Sequence, residues 1–461
     1  MGPCAARPLA PPRGARQADP GCPSSPTPEP PPLRLRAELA LVAAGAGVGI
    51  AASAAAYAFT VLAHEAEAFV WHTVPGWWGA EEAPWWWVLA LLAIGGAAVA
   101  AAIRLPGHGG HHPLDPLSFD IRPSALPSTL LAALATLAAG AVVGPEAPLM
   151  AIGTAIAFAV ARGALEGVAP VLAMCGAAAA LGVVIGNPMI TAILILEGAV
   201  ISARVAHRRT VVLVHLLPVL AALGAGYLIR VGVGTWTGVS SHPLELGEIA
   251  PYPTLLVRDL LPTVAVAVVT ALLLTMTTRA AGQLRRRLPP RLATAGLVVG
   301  GLVVGGIALV VRAATGEPLS TVLFSGQNDL GTVLAITSAG ALLLVALGKT
   351  LAYGVSLGVG FRGGAIFPAI TVGVALATAA HAVMPGTSVA PLAAAGVGAA
   401  VGAVLGLPFT SALFGLLLLS PSGEAVTVAA ALGAVAGVLA EAWVDDRLRV
   451  QPEDEVQAPQ H

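Results

Sequence analysis

Six predominantly apolar stretches decide the class of this chain before any motif is read. Leu39–Leu62, Trp85–Ala102, Leu126–Val143, Val211–Ile229, Leu260–Met276 and Ala293–Val311 each run for at least 17 residues. A helix of about that length crosses the roughly 30 Å hydrocarbon layer of a bilayer. With 57% of residues apolar and 10% charged, the chain is too poor in charge for an ordinary soluble domain. The decamers of alternating apolar and polar residues that mark an outer-membrane barrel are missing, whereas abundant Ala, Gly, Leu and Val suit closely packed helices. An all-α, polytopic membrane protein is therefore expected, with the bilayer as its first partner.

A formal net charge of −1 gives no overall field for nucleic acid, and the charge distribution says more. Arg7, Arg13, Arg16, Arg34 and Arg36 precede the first apolar stretch, Arg204, Arg208 and Arg209 form a second basic cluster, and Arg279, Arg285, Arg286, Arg287 and Arg291 a third. The positive-inside rule makes these segments cytoplasmic. The connections His64–Trp87, with Glu65, Glu67, Glu81, Glu82 and a run of Trp, and Gly232–Pro253, with Glu245 and Glu248, then face outward. Cys4, Cys22 and Cys175 have no metal-ligand spacing and make no disulfide framework. No cofactor or metal is expected.

The most informative motif is an internal repeat. Gly144-Pro-Glu-Ala-Pro148-Leu-Met-Ala-Ile-Gly153 lies opposite Gly364-Ala-Ile-Phe-Pro368-Ala-Ile-Thr-Val-Gly373, and 364 − 144, 368 − 148 and 373 − 153 all give 220. The same offset joins Gly182, Gly186, Pro188 and Ala192 to Gly402, Gly406, Pro408 and Ala412, and Gly140 to Gly360. Two homologous halves in a membrane chain imply inverted-topology repeats of tilted and broken helices. The expected organisation is a disordered cytoplasmic tail over 1–36, a first membrane repeat over 37–231, an extracytoplasmic connection over 232–253, a second repeat over 254–444 and a short cytoplasmic tail over 445–461. Both termini then face the cytoplasm, and the function lies in the membrane part.

Each repeat starts a helix at Gly144 or Gly364, with Pro in its first turn, where a missing N–H costs nothing. A helix start inside hydrocarbon presents unpaired N–H groups and a positive dipole end that water cannot satisfy. Two such ends converging make a site for a dehydrated anion, bound weakly enough to leave again. Gly144, Gly360, Gly363 and Gly364 allow close approach of the backbone. Glu146 sits in the first helix start among apolar neighbours, where ionised carboxylates are costly and rare. Two readings stand: a carboxylate that caps its own helix, or a mobile gate that occupies the anion site when ionised and leaves when protonated.

Gly144-Pro-Glu-Ala-Pro148 resembles the Gly-Lys/Arg-Glu-Gly-Pro motif of the CLC chloride channels and chloride/proton exchangers, and Gly364-Ala-Ile-Phe-Pro368 resembles their Gly-x-Phe-x-Pro motif. The Gly-Phe-Arg-Gly-Gly run at 360–364 is most similar to a bacterial branch described only as ion-transport proteins. The likeness covers about residues 39–444. It implies a CLC-like fold, a homodimer with one pore per subunit, chloride or another small anion as the transported partner, and a cell-membrane location. It also implies a gate at Glu146 and anion binding by Gly144, Ala147, Gly364, Ala365, Ile366 and Phe367.

The departures from the family pattern are specific. Pro145 replaces a basic residue, and Ile366 stands where Phe is usual. The stretch nearest the family's Gly-Ser-Gly-Ile-Pro is Gly107-His-Gly-Gly-His-His-Pro113, which puts His108 at the anion-binding Ser position or else in a solvated loop. No Tyr follows Tyr353, so the family's coordinating hydroxyl is lost. The family's inner proton acid aligns with Gly198, next to Glu197. Glu197 is then either a substitute proton acceptor or a structural partner of the Arg204–Arg209 cluster. Lys349 either adds positive potential for the anion or snorkels, and Arg362 either replaces the charge missing at Pro145 or caps carbonyls. Beside anion transport stand a non-conducting scaffold of the same fold and an intramembrane enzyme using Glu146 with a histidine. The last lacks any catalytic template, because the chain has no His-Glu-x-x-His or Gly-x-Ser-x-Gly.

Overall fold

The computed structural model describes residues 35–80, 82–115, 119–202, 216–237, 246–247 and 249–449. The N-terminal tail, the Arg204, Arg208 and Arg209 cluster, and Glu81, Glu245 and Glu248 lie outside these residues. The α-helices among the described residues run in the order α1 (Leu35–Ala68), α2 (Trp85–Ile103), α3 (Leu126–Ala139), α4 (Glu146–Val160), α5 (Ala169–Ile185), α6 (Pro188–Ser202) and α7 (Leu217–Thr237). Then follow α8 (Val257–Arg287), α9 (Ala293–Thr315), α10 (Leu330–Ala335), α11 (Ala339–Val359), α12 (Ile366–Val383), α13 (Val389–Leu405), α14 (Pro408–Leu418) and α15 (Val426–Arg449). Among the described residues eight helices are long and apolar enough to cross a membrane.

Packing repeats itself in the two halves. The helix α5 lies against α1, α4 and α7, and α13 lies in the same way against α8, α12 and α15. The bounds of α5 and α13 differ by 220 at both ends, 389 − 169 and 405 − 185. Glycine explains why these positions repeat. Gly140 and Gly360 end α3 and α11, and Gly186 and Gly406 end α5 and α13, all four in the left-handed conformation that a side chain disfavours. Gly153 of α4 crosses Gly176 of α5 so closely that a Cβ on either would overlap the other's backbone, and Gly373 and Gly396 do the same in α12 and α13.

The two halves meet at equivalent residues. Gly144 N–H donates to Gly364 O at 2.8 Å, and Gly364 N–H donates back to Gly144 O at 2.6 Å. An antiparallel bridge between a residue and its own repeat partner requires a local two-fold axis between them. The inverted repeat is thus built around that bridge, with the bulk of the buried apolar side chains forming one core across both halves.

Two expected boundaries differ from the structure. The stretch Leu126–Val143 is not one spanning helix: α3 stops after 14 residues at Gly140, and Ala141, Val142 and Val143 continue as fully buried non-helical chain. At 1.5 Å per residue α3 reaches only about 21 Å. The connection expected from His64 begins later, because the helix runs on through a π-helical segment at Phe69–Thr73 and a further turn to Gly76. No breaker intervenes before Pro75 and Gly76.

Candidate functional site

The chain on either side of the Gly144–Gly364 bridge is tied across the two-fold by a reciprocal pair of side chains. Thr136 Oγ1 accepts from Arg362 N–H at 3.1 Å, and Ser356 Oγ accepts from Val142 N–H at 3.2 Å. Both 356 − 136 and 362 − 142 give 220, so these are one contact seen twice. On the second side Tyr353, fully buried, donates its hydroxyl to Ala365 O at 2.9 Å. These bonds fix the entries to α4 and α12, whose caps, Pro145 and Ala365, offer no side-chain acceptor to the first N–H groups. Such groups must find a partner elsewhere when buried.

Glu146 supplies that partner to α12. Its Oε1 accepts from Ile366 N–H at 3.1 Å and from Phe367 N–H at 3.0 Å. The residue is 3% exposed, and Oε2 is buried without a hydrogen-bond partner. Gly144 and Gly364 form the cradle, since a Cβ on either would overlap the carboxylate. The two-fold is broken here, because the repeat partner of Glu146 is Ile366. One half contributes the acid and the other the orphan donors.

A cavity of about 940 Å³ leads to this point from the end of the molecule that carries Arg285 and Arg286. Its inner limit is formed by Glu146, Ala147 and Gly363–Ile366, and its walls by His111–Asp115, the last turns of α8 and the segment Ala403–Leu405. Arg279, Arg285, Arg286 and Arg362 line it together with Asp115, Glu146 and Glu441. Asp115 accepts from Arg285 at 2.6 Å. Burial opposes the charged form of Asp115, but the Arg285 guanidinium and the His112 N–H outweigh it and hold the carboxyl below its usual range. Burial, followed by the charges of Arg285 and Arg362, pushes the His112 imidazole down to about 3 against the pull of Asp115.

Of the residues singled out in the sequence, Gly144, Glu146, Ala147, Gly364, Ala365, Ile366 and Phe367 come together at the bridge. Arg362 lines the cavity and donates to His108 O at 3.3 Å. His108 itself is exposed, with φ of 51°, and lies outside the cavity lining, whereas His111 and His112 line it. Lys349 is fully buried away from the cavity, its Nζ donating to the carbonyls of Val322, Leu323 and Phe324 at 3.3, 3.0 and 3.4 Å. Glu197 reaches across to the start of α14, where it accepts from Phe409 N–H, Thr410 N–H and Thr410 Oγ1 at 2.9, 2.8 and 2.7 Å. Its other expected partners, Arg204–Arg209, lie outside the described residues. Thr136, Ser356 and Tyr353 went unassigned in the sequence, although the 220 offset and the four-residue spacing before Gly140 and Gly360 marked the first two.

Two inverted helical repeats that bring helix starts and one acid to the end of an arginine-lined cavity define a membrane protein of ion transport. The profile of the family described as voltage gated chloride channel matches residues 98–441, and the chain belongs to this CLC family. A relative from Escherichia coli strain SE11, called "Putative ion-transport protein YfeO", is 29% identical over 337 residues, which is 70% of this chain and 75% of the relative. The structure of a slow cyanobacterial Cl−/H+ antiporter superposes with a TM-score of 0.69 at 16% identity, over 89% of this chain and 98% of that one. A CLC-type fluoride/proton antiporter superposes with a TM-score of 0.65 at 17% identity, over 88% and 97%. These two likenesses are of fold.

Proposed function

We propose that this chain carries small anions across the cell membrane, with chloride as its ion and Glu146 as its gate. The observation that supports this reading is the place of Glu146 Oε1, which accepts two backbone N–H bonds at the start of α12. A dehydrated anion held by helix dipoles would take those same donors. Carboxylate and anion therefore compete for one position, and protonation removes the charge that holds the carboxylate there. Among the described residues, the groups at bonding distance of Oε1 are the backbone amides of Ile366 and Phe367, which favours a binding role over an enzymatic one. Arg362 and the α8 arginines would draw anions into the cavity.

The same reading places the arginine-rich end in the cytoplasm by the positive-inside rule, with both termini on that side. It takes the functional unit as a homodimer with one pore per subunit, as the family resemblance implies. The test is uptake of radioactive chloride into proteoliposomes by wild type and Glu146→Gln, with lumenal pH recorded. Chloride uptake that changes its pH dependence in the variant supports the gate. Absence of uptake for chloride, fluoride and nitrate in both proteins would leave the non-conducting scaffold as the correct reading.

A further inference from the structure

The arginines at the end of the molecule that carries Arg285 and Arg286 fall into two groups. Arg279 and Arg285 are paired with Asp445 and Asp115, and Arg286 and Arg362 line the cavity. Arg104, Arg287 and Arg291 do neither. They are exposed, lie outside the cavity lining, and form no ion pair with an acid among the described residues. The elements that carry them offer no nearby carboxylate, because neither 83–114 nor 260–316 contains an Asp or Glu. Three guanidinium groups without acids leave a surface that attracts an anion from outside the chain.

The fold gathers these three residues at one turn. The helices α2 and α9 run antiparallel in close contact, since a Cβ on Gly96 would overlap the backbone of Leu297 and a Cβ on Gly301 that of Leu92. This contact brings the end of α2 to the start of α9, where Arg104 Nη2 donates to Thr294 Oγ1 at 3.2 Å. The chain between α8 and α9 closes on the same place. Leu292 N–H donates to Pro289 O at 2.8 Å, and a Cβ on Gly296 would stand 2.6 Å from Leu288 Cδ2. Arg287 and Arg291 flank this turn. Leu105, Leu284 and Leu292 are exposed beside the arginines, and the exposed apolar surface continues along α9 at Val299 and Val303. All three helices are long and apolar enough to cross a membrane. Cations at their ends and apolar side chains just beyond match the layering of headgroups over acyl chains.

We infer that Arg104, Arg287 and Arg291 form a docking site for an anionic phospholipid, with its phosphodiester on the guanidinium groups and an acyl chain along the exposed face of α9. A guanidinium fork matches two phosphate oxygens. Each arginine beside an anionic headgroup strengthens binding about fivefold. A soluble phosphate would meet the same guanidinium groups but gain nothing from the exposed leucines and valines. The site is separate from Glu146 and from the cavity, so it does not depend on the anion reading.

The test is native mass spectrometry of the full chain in detergent, titrated with phosphatidylglycerol and with phosphatidylcholine of the same acyl chains. Wild type should bind phosphatidylglycerol at least tenfold more tightly than phosphatidylcholine. The variant combining Arg104→Gln, Arg287→Gln and Arg291→Gln should bring the two lipids within about twofold, while Arg258→Gln, at the opposite end of α8, should leave the preference unchanged. Should the combined variant not elute as wild type, Arg287→Gln and Arg291→Gln alone should each lower the preference about fivefold. Equal binding of both lipids by wild type overturns the inference, as does a full preference in the combined variant or in both single ones. An equal loss in Arg258→Gln makes the effect one of overall charge and overturns the site. Inorganic phosphate that displaces phosphatidylglycerol at equal concentration assigns the arginines to a soluble anion and overturns the lipid.

Discussion

Replacing Glu146 by Gln tests the competition between carboxylate and anion directly. The amide keeps an oxygen that can accept from Ile366 and Phe367, so the geometry at 3.1 and 3.0 Å is preserved and only the charge is lost. Hydrogen bonds to charged groups contribute about 1.5–3 kcal/mol against about 0.5–1.5 kcal/mol for neutral ones, so two bonds lose roughly 2–3 kcal/mol. Oε2 is buried without a partner, which already weakens the hold of the carboxylate by about 1 kcal/mol. A net loss of about 1–2 kcal/mol makes the side chain roughly 5–30 times easier to displace. Chloride titrated calorimetrically into purified Glu146→Gln at neutral pH should therefore bind 5–30 times more tightly than to wild type, by that same conversion. Its flux should also lose the pH dependence that wild type shows. Unchanged or weaker chloride binding in a variant that elutes as wild type would refute the idea that Glu146 and the anion share the α12 donors.

Two further perturbations address the residues around the site. Lys349→Met leaves the carbonyls of Val322, Leu323 and Phe324 without their buried donor, which should cost about 2–4 kcal/mol and lower the thermal unfolding midpoint without changing anion preference; lost flux at full stability would instead assign Lys349 to the ion path. His112 has a folded pKa of about 3 against an ordinary 6.5. Between those values the unfolded chain binds more protons, so this contribution to stability is complete above pH 6.5 and is lost progressively as pH falls towards 3. His112→Asn should flatten that part of the decline in unfolding temperature measured across acidic buffers, and an unchanged slope would mean that His112 is not held neutral in the folded protein.

The repeat made the heart of this fold legible. Glycine and proline at a fixed offset of 220 mark both helix starts, the four left-handed turns and one glycine of each close helix crossing, because each position demands the absence of a side chain or of an N–H. Hydrophobicity was less discriminating. It continued past Gly140 to Val143, and an apolar run reads alike whether it is helix or buried extended chain. The role of Lys349 was hidden because its partners are carbonyls 25 to 27 residues away, and backbone acceptors leave no mark in a sequence. Tyr353 was hidden for the same reason, with Ala365 O as its acceptor. The pairing of Asp115 with Arg285 joins residues 170 apart and becomes visible only when the halves are folded together.

The comparison of Glu146 with Glu197 separates a movable carboxylate from a fixed one. In the first half, α6 starts at Pro188 and is capped by its own Asn187, whose Oδ1 accepts from Met189 N–H at 2.9 Å and from Ile190 N–H at 3.4 Å. The repeat partner of Asn187 is Leu407, which has no acceptor, and Glu197 from the first half caps α14 in its stead. Both second-half starts thus receive a carboxylate from the first half. Glu197 uses both oxygens in three bonds, whereas Glu146 uses one oxygen in two. The more fully bonded group should be structural. Glu197→Ala should lower stability by about 1–2 kcal/mol, as loss of a helix cap does, and leave anion flux per folded protein unchanged. Adding Leu407→Asn, which restores the cap seen at Asn187, should recover part of the loss in unfolding temperature. If Glu197→Ala abolishes transport at full stability, and Leu407→Asn restores nothing, Glu197 belongs to the transport path and the division between the two acids is wrong.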